Sequence, residues 1–181
     1  LRGGDDNDTL FFDAADTLVS GGNGHDTGIY TDATTGLRSY DMAGHGLEVL
    51  QWTTNSNTYT LTLNVDSSRD EAVVDTANTI SGVASRTTHL SAAGLTDWED
   101  LTTDAGGRVY SDFDLTNGYS WDIQYTYYVA GGATDYVDYR FDNGTRQIND
   151  YDQASNQSWT DYIQVIDALG RDDYRDYRLD D

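Results

Sequence analysis

Two short runs hold residues whose type and spacing could do chemistry. Gly3-Gly4-Asp5-Asp6-Asn7-Asp8 and Gly21-Gly22-Asn23-Gly24-His25-Asp26 begin 18 residues apart. That distance is two nine-residue units, and a degenerate unit, Asp13–Val19, lies between them. Glycines let a tight loop turn several backbone carbonyls inward without Cβ clashes. An aspartate at the sixth position then supplies a neutralising carboxylate. Calcium takes six to eight such oxygens at about 2.3–2.6 Å. Binding of a hard cation is therefore the chemistry these runs suit.

Other constellations carry less. His25, His45 and His89 are scattered, with no paired spacing for zinc. His25 occupies a variable loop position, expected at a solvated surface. Among 32 acidic residues a carboxylate pair at glycosidase separation, about 5–9 Å, arises by chance. The chain has no Gly-x-Ser-x-Gly elbow and no phosphate loop. The sequence is therefore not expected to encode an enzyme. Trp98, Trp121 and Trp159 are expected in the core, because the last two recur at one position of a repeat. Tyr136 and Tyr174, flanked by Asp and Arg, read first as cross-strand packing and second as sugar-stacking platforms.

Residues 3–29 resemble the RTX (hemolysin-type) calcium-binding repeat, Gly-Gly-x-Gly-x-Asp-x-apolar-x, the nonapeptide of parallel β-rolls. The resemblance implies a coil of 18 residues per turn, with loops one turn apart sandwiching a calcium ion. Carried over by position, Asp8 and Asp26 become side-chain ligands. Gly3, Gly4, Gly21, Gly22 and Gly24 bring carbonyls, and Asp6 completes the expected metal set. Asp6 stands where the pattern has its second loop glycine, and Gly28 where it has an inward apolar residue. Leu10 and Leu18 keep that inward place.

The elements that must position these loops are strands. With 181 residues the chain suits one large domain or two small ones. It has no Pro, 18 Gly and 14 Tyr, which favours strands joined by glycine turns. It has no Cys, so disulfides and thiol chemistry are excluded. A net charge of −22 argues against nucleic acid, whose phosphates require basic patches, and against anionic membranes. No apolar run approaches the roughly 20 residues of a spanning helix, so direct membrane insertion is not expected.

A second repeat, with a period of 38, occupies residues 98–181. Asp135-Tyr-Val-Asp-Tyr-Arg-Phe-Asp142 matches Asp173-Tyr-Arg-Asp-Tyr-Arg-Leu-Asp180 at six of eight positions. Ser120-Trp121 matches Ser158-Trp159 at the same offset. Asp104, Gly106, Arg108, Asp112 and Asp114 match Asp142, Gly144, Arg146, Asp150 and Asp152. Alternation in Trp121–Val129 predicts a strand with one buried face. Val137, Tyr139 and Phe141 share the inward face of the next strand, and Asp142-Asn143-Gly144 is expected to close a type I′ hairpin. Arg146–Asp152 returns as a third strand, giving an antiparallel meander of about three strands per repeat. Positions n and n+38 are expected in equivalent places, with Trp121, Trp159, Tyr139 and Tyr177 all inward. These units are similar to tandem Trp…Asp-x-x-Gly-Arg repeats of large secreted RTX-type proteins, on Ser158-Trp159, Asp150–Gln153 and Asp167–Arg171. That likeness implies an extracellular array.

Residues 32–97 show no such period and read as an irregular β region. Tyr59–Val65 alternates cleanly, Leu47–Trp52 is its expected partner through Thr53–Asn57, and 69–77 suits a strand or a helical turn equally.

The expectation is an all-β chain. A short parallel β-roll at 1–31 precedes an irregular region at 32–97 and tandem 38-residue antiparallel repeats at 98–181. It is expected to be a calcium-binding structural or adhesive module, secreted or at the cell surface, within a larger protein. Its expected partners are calcium, neighbouring repeats or identical subunits, and glycans as a secondary class. A carbohydrate-binding domain and the non-catalytic tail of a secreted enzyme or toxin are the alternatives.

Overall fold

The structure, a computed structural model, describes residues 1–32, 37–55, 57–75, 80–153, 155 and 157–179. The chain is all-β: its described residues form fifteen strands and no α-helix. It divides into two units, Leu1–Leu95 and Thr96–Asp181.

The first unit starts as a parallel coil. β1 (Arg2–Gly4) pairs with β3 (Ser20–Gly22), placing Arg2 on Ser20 and Gly4 on Gly22. β2 (Thr9–Phe12) pairs with β4 (Thr27–Tyr30), placing Thr9 on Thr27. Both registers equal the 18-residue spacing of the Gly-Gly runs. β5 (Val49–Thr54) lies parallel on β4 at a step of 22, with Val49 beside Thr27, so a third coil follows that the nonapeptide pattern does not mark. From β5 the chain turns antiparallel through β6 (Asn57–Leu63), β7 (Arg69–Asp75) and β8 (Val83–Leu90). Residues 69–75 are therefore strand, and 76–77, like Ser56, lie outside the described residues. Val65 lies beyond β6 and is fully exposed.

Alternation sets which side chains enter this unit's core. In β2, Leu10 and Phe12 are buried while Thr9 and Phe11 face out. Leu10, Phe12, Val19, Leu37, Met42, Leu47, Leu50, Trp52 and Leu61 form one cluster. Gly28 keeps its place in it by smallness: Leu47 Cδ1 and Phe12 Cε1 stand 2.8 and 2.9 Å from where a Cβ would be. The expected inward Leu18 is 52% exposed, and Val19 is 3% exposed in its stead. Val19 is nine residues from both Leu10 and Gly28, so the degenerate unit keeps the nine-residue step and Leu18 lies one residue short of the inward position.

The second unit is a seven-strand antiparallel meander. Its strands are β9 (Thr96–Thr103), β10 (Arg108–Phe113), β11 (Trp121–Tyr128), β12 (Thr134–Phe141), β13 (Arg146–Asp150), β14 (Trp159–Ile166) and β15 (Asp172–Leu179). The same turn geometry recurs 38 residues apart. The Gly106 N–H donates to Thr103 O at 2.9 Å, and that of Gly144 to Phe141 O at 2.8 Å. Asp114 accepts the Tyr119 N–H at 2.7 Å, and Asp152 that of Gln157 at 3.1 Å.

Two expectations about this unit are corrected. Gly144 has φ 80° whereas Asn143 does not have positive φ, so the hairpin is not type I′. It is a turn over Phe141–Gly144 that ends in one left-handed glycine, the arrangement of a three-residue hairpin loop.

The second correction concerns faces. Opposed residues of an antiparallel pair share a face. Following the registers across, Asp100, Arg108 and Trp121 lie on one face, and Asp138, Arg146 and Trp159 on the other. Three strands per 38-residue step reverse strand direction. Partner numbers sum to an even value for β9–β10 and β10–β11 but to an odd value for β11–β12 (Gln124 on Tyr139), so residues 38 apart fall on opposite faces. No single inward face exists. Trp121, Trp159 and Tyr139 are only half-buried, and Tyr177 is 47% exposed. Among the described residues of this unit, only Val137 and Ile148 of the large apolar residues are buried.

Candidate metal site in the parallel coil

The two Gly-Gly runs lie one above the other because the coil repeats every 18 residues. Asp26 is the buried centre of the stack, with 0% exposure. Its Oδ1 accepts the Asp8 N–H at 2.8 Å. Its Oδ2 is buried and has no hydrogen-bond partner. A buried carboxylate oxygen without a donor is costly unless something positive meets it.

The glycines are fixed by the same stacking. A Cβ on Gly21 would stand 2.5 Å from Asp26 Oδ2 and would also strike the Gly46 carbonyl. A Cβ on Gly3 would stand 2.5 Å from Asp8 Oδ2 and would strike the Gly21 carbonyl. Each glycine Cα is thus flanked by a carboxylate oxygen of its own loop and a carbonyl oxygen of the next coil. Gly4 and Gly22 have φ of 145° and 112°, and Gly24 has 139° with its Cβ position 2.5 Å from Asp6 O. These are backbone conformations that side chains rarely adopt.

Further contacts at the 18-residue step hold the loops in register. The His25 N–H donates to Asn7 Oδ1 at 2.8 Å, Asn23 Nδ2 to Asp5 Oδ1 at 3.0 Å, and the Asn23 N–H to Gly4 O at 2.7 Å. The structure therefore brings Gly3, Gly4, Asp8, Gly21, Gly22, Gly24 and Asp26 into one stack. Asp6 is exposed and enters it through its carbonyl beside Gly24. His25 is exposed as expected.

The sequence pattern missed Glu48. Its Oε2 accepts the Asp26 N–H at 2.6 Å, repeating one coil later what Asp26 does for Asp8. The signal was present as Gly44-His45-Gly46-Leu47-Glu48, but a step of 22 rather than 18 concealed it. His45 closes that coil: its Nδ1 lies 2.8 Å from Val19 O, and its ring stacks on Tyr40 with centroids 5.0 Å apart.

Among the described residues, no three His, Cys, Asp or Glu side chains gather around one point. A cation here would depend on carbonyls as well as carboxylates, which is how calcium is held.

The sugar candidates differ from each other. Tyr136 receives a hydrogen bond from Arg146 at 3.1 Å and packs edge-on against Tyr127, while Tyr174 is 52% exposed. A depression of about 390 Å³ in the second unit is lined by Gln124, Thr126, Tyr128, Thr134, Val137, Tyr151 and Gln153, none of them charged.

No protein family, curated protein or solved structure matches the chain.

Proposed function

We propose that the parallel coil binds calcium between the loops 3–8 and 21–26, and that the chain is a calcium-stabilised structural or adhesive module working outside the cell. The buried, donorless Oδ2 of Asp26 carries this reading. A divalent ion there would offset the charge that protein donors leave unmet. Calcium outside the cell would stabilise the fold by RT ln(1 + [L]/Kd), and in a calcium-poor compartment a chain of charge −22 would lose that term. Asp8, Asp26 and the Gly21 carbonyl would hold the ion, with the Gly46 carbonyl of the third coil beside Asp26 Oδ2 as a further ligand.

Calcium titration of the whole chain by calorimetry tests the reading. Saturable heat in the native chain and its loss in Asp26→Asn are expected, since Asn keeps the acceptor for the Asp8 N–H but removes the charge. Equal heats for both chains would overturn the assignment.

The uncharged 390 Å³ depression favours a second reading, carbohydrate binding. In a chain so acidic, a patch of amides, hydroxyls and tyrosines suits a neutral polyhydroxyl ligand. A glycan array separates the two: binding lost with Tyr151→Ala would support the second reading, and silence on the array would end it.

A further inference from the structure

β15 has a hydrogen-bonded neighbour only on the β14 side among the described residues, and all eight of its residues are exposed. Natural edges are guarded by charged side chains, Lys above all, by Pro or by bulges. This chain has no Lys or Pro. β15 carries Asp172, Asp173, Arg175, Asp176 and Arg178, but its equivalent β12 carries Asp135, Asp138 and Arg140 and still pairs with β13. β15 has a bulge against β14 near Asp173, but β12 has the matching bulge near Asp135 against β11 and still pairs with β13. The edge is therefore open and able to pair.

The two earlier equivalents of β15 show what such an edge receives. β9 is followed by β10, and Arg108, opposite Thr102, reaches diagonally to Asp100 with Nε–Oδ1 at 2.6 Å and Nη2–Oδ2 at 2.7 Å. β12 is followed by β13, and Arg146, opposite Arg140, reaches Asp138 at 2.7 and 2.9 Å. Asp100, Asp138 and Asp176 lie 38 residues apart, as do Thr102, Arg140 and Arg178. In both accepted strands the arginine is followed two residues on by Tyr110 or Ile148, and four on by Asp112 or Asp150. Asp176 holds the place of the two paired aspartates. The Asp176 carboxylate accepts the Tyr177 N–H at 3.0 Å and a hydrogen bond from the Tyr174 side chain, as Tyr136 lies beside Asp138 and Arg146 one repeat earlier.

We infer that the outer edge of β15 is an acceptor for an extended polypeptide strand of the form Arg-x-apolar-x-Asp, docked antiparallel with its arginine opposite Arg178 and its guanidinium on Asp176. Main-chain hydrogen bonds supply the affinity, and the bidentate Arg–Asp pair supplies the register. The inference rests on the second unit alone and is independent of calcium in the first.

The probe is a fluorescent peptide with the sequence of residues 144–153, the loop, strand and exit of β13, titrated into the whole chain. Saturable binding with slowed amide exchange confined to β15 and its loop is expected. Changing the peptide's arginine to Asp, or Asp176→Arg in the chain, should each weaken binding about tenfold. Combining the two exchanged partners should restore it. β15 is exposed throughout, so Asp176→Arg leaves the fold intact, and its circular dichroism verifies this. Absence of binding, or equal binding of the exchanged peptide, would overturn the inference. So would a chain that dimerises through β15 and excludes the peptide, because the edge would then belong to a second copy.

Discussion

Gly21 and Gly131 separate two uses of one residue type. A Cβ on Gly21 meets the Gly46 carbonyl and Asp26, whereas one on Gly131 meets nothing within 4 Å at a φ outside the left-handed region. Gly21→Ala should therefore destabilise the first unit by about 3 kcal/mol, since backbone and a buried carboxylate must move. Gly131→Ala should change stability by less than about 0.5 kcal/mol. Urea unfolding of each variant checks the contrast. Asp112 yields a pH-dependent case. Desolvation first, then Asp97 and Asp114, hold its pKa above the ordinary value. The folded chain thus binds this proton more tightly than the unfolded chain, and the charged form strains the fold above the raised pKa. Asp112→Asn should raise the melting temperature at neutral pH. The gain should shrink as pH falls through the raised pKa and vanish below about 3.9, where both states of the native chain are protonated. A gain that is constant from pH 7 to pH 3 would show that relief of charge is not the cause. The sequence made the Gly-Gly runs legible because backbone conformation demands glycine there. It concealed Glu48 because that residue follows a longer coil, whereas Val19 was legible, nine residues from both Leu10 and Gly28, with Leu18 one residue out of step.

At the scale of the element, strand identity was legible and facing was not. Alternation located β6, β11 and β12, yet a half-exposed sheet gives both faces of a strand similar surroundings, so alternation could not name an interior. The odd β11–β12 register then puts residues 38 apart on opposite faces, which no single-strand pattern reveals. Beside the backbone ladder, β12 and β13 share a charge pair with a buried partner: Asp138 is 3% exposed and bound by Arg146. The equivalent pair, Arg108–Asp100, has side chains 46% and 30% exposed. Arg146→Ala leaves the buried Asp138 carboxylate with only Arg140, whose Nε stands 3.9 Å from Oδ2, and should cost about 3 kcal/mol. Arg108→Ala should cost under about 1 kcal/mol, because solvent screens the exposed pair. Denaturation of both variants tests the ranking, and equal losses would mean that burial of Asp138 does not set the energetics.

For the whole molecule, acidity and fold are two parts of one account. The first unit has an apolar cluster, but its loops stack carbonyls and carboxylates on each other. The second unit has few buried apolar side chains and no such stack. A cation should therefore stiffen the first unit selectively. The most direct measurement is amide hydrogen exchange across the chain, in about millimolar calcium and in excess chelator. Calcium should slow exchange at residues 3–8 and 20–30, the amides of Asp8 and Asp26 most of all, and leave β11–β13 unchanged. Identical exchange at those residues in calcium and in chelator would contradict the account.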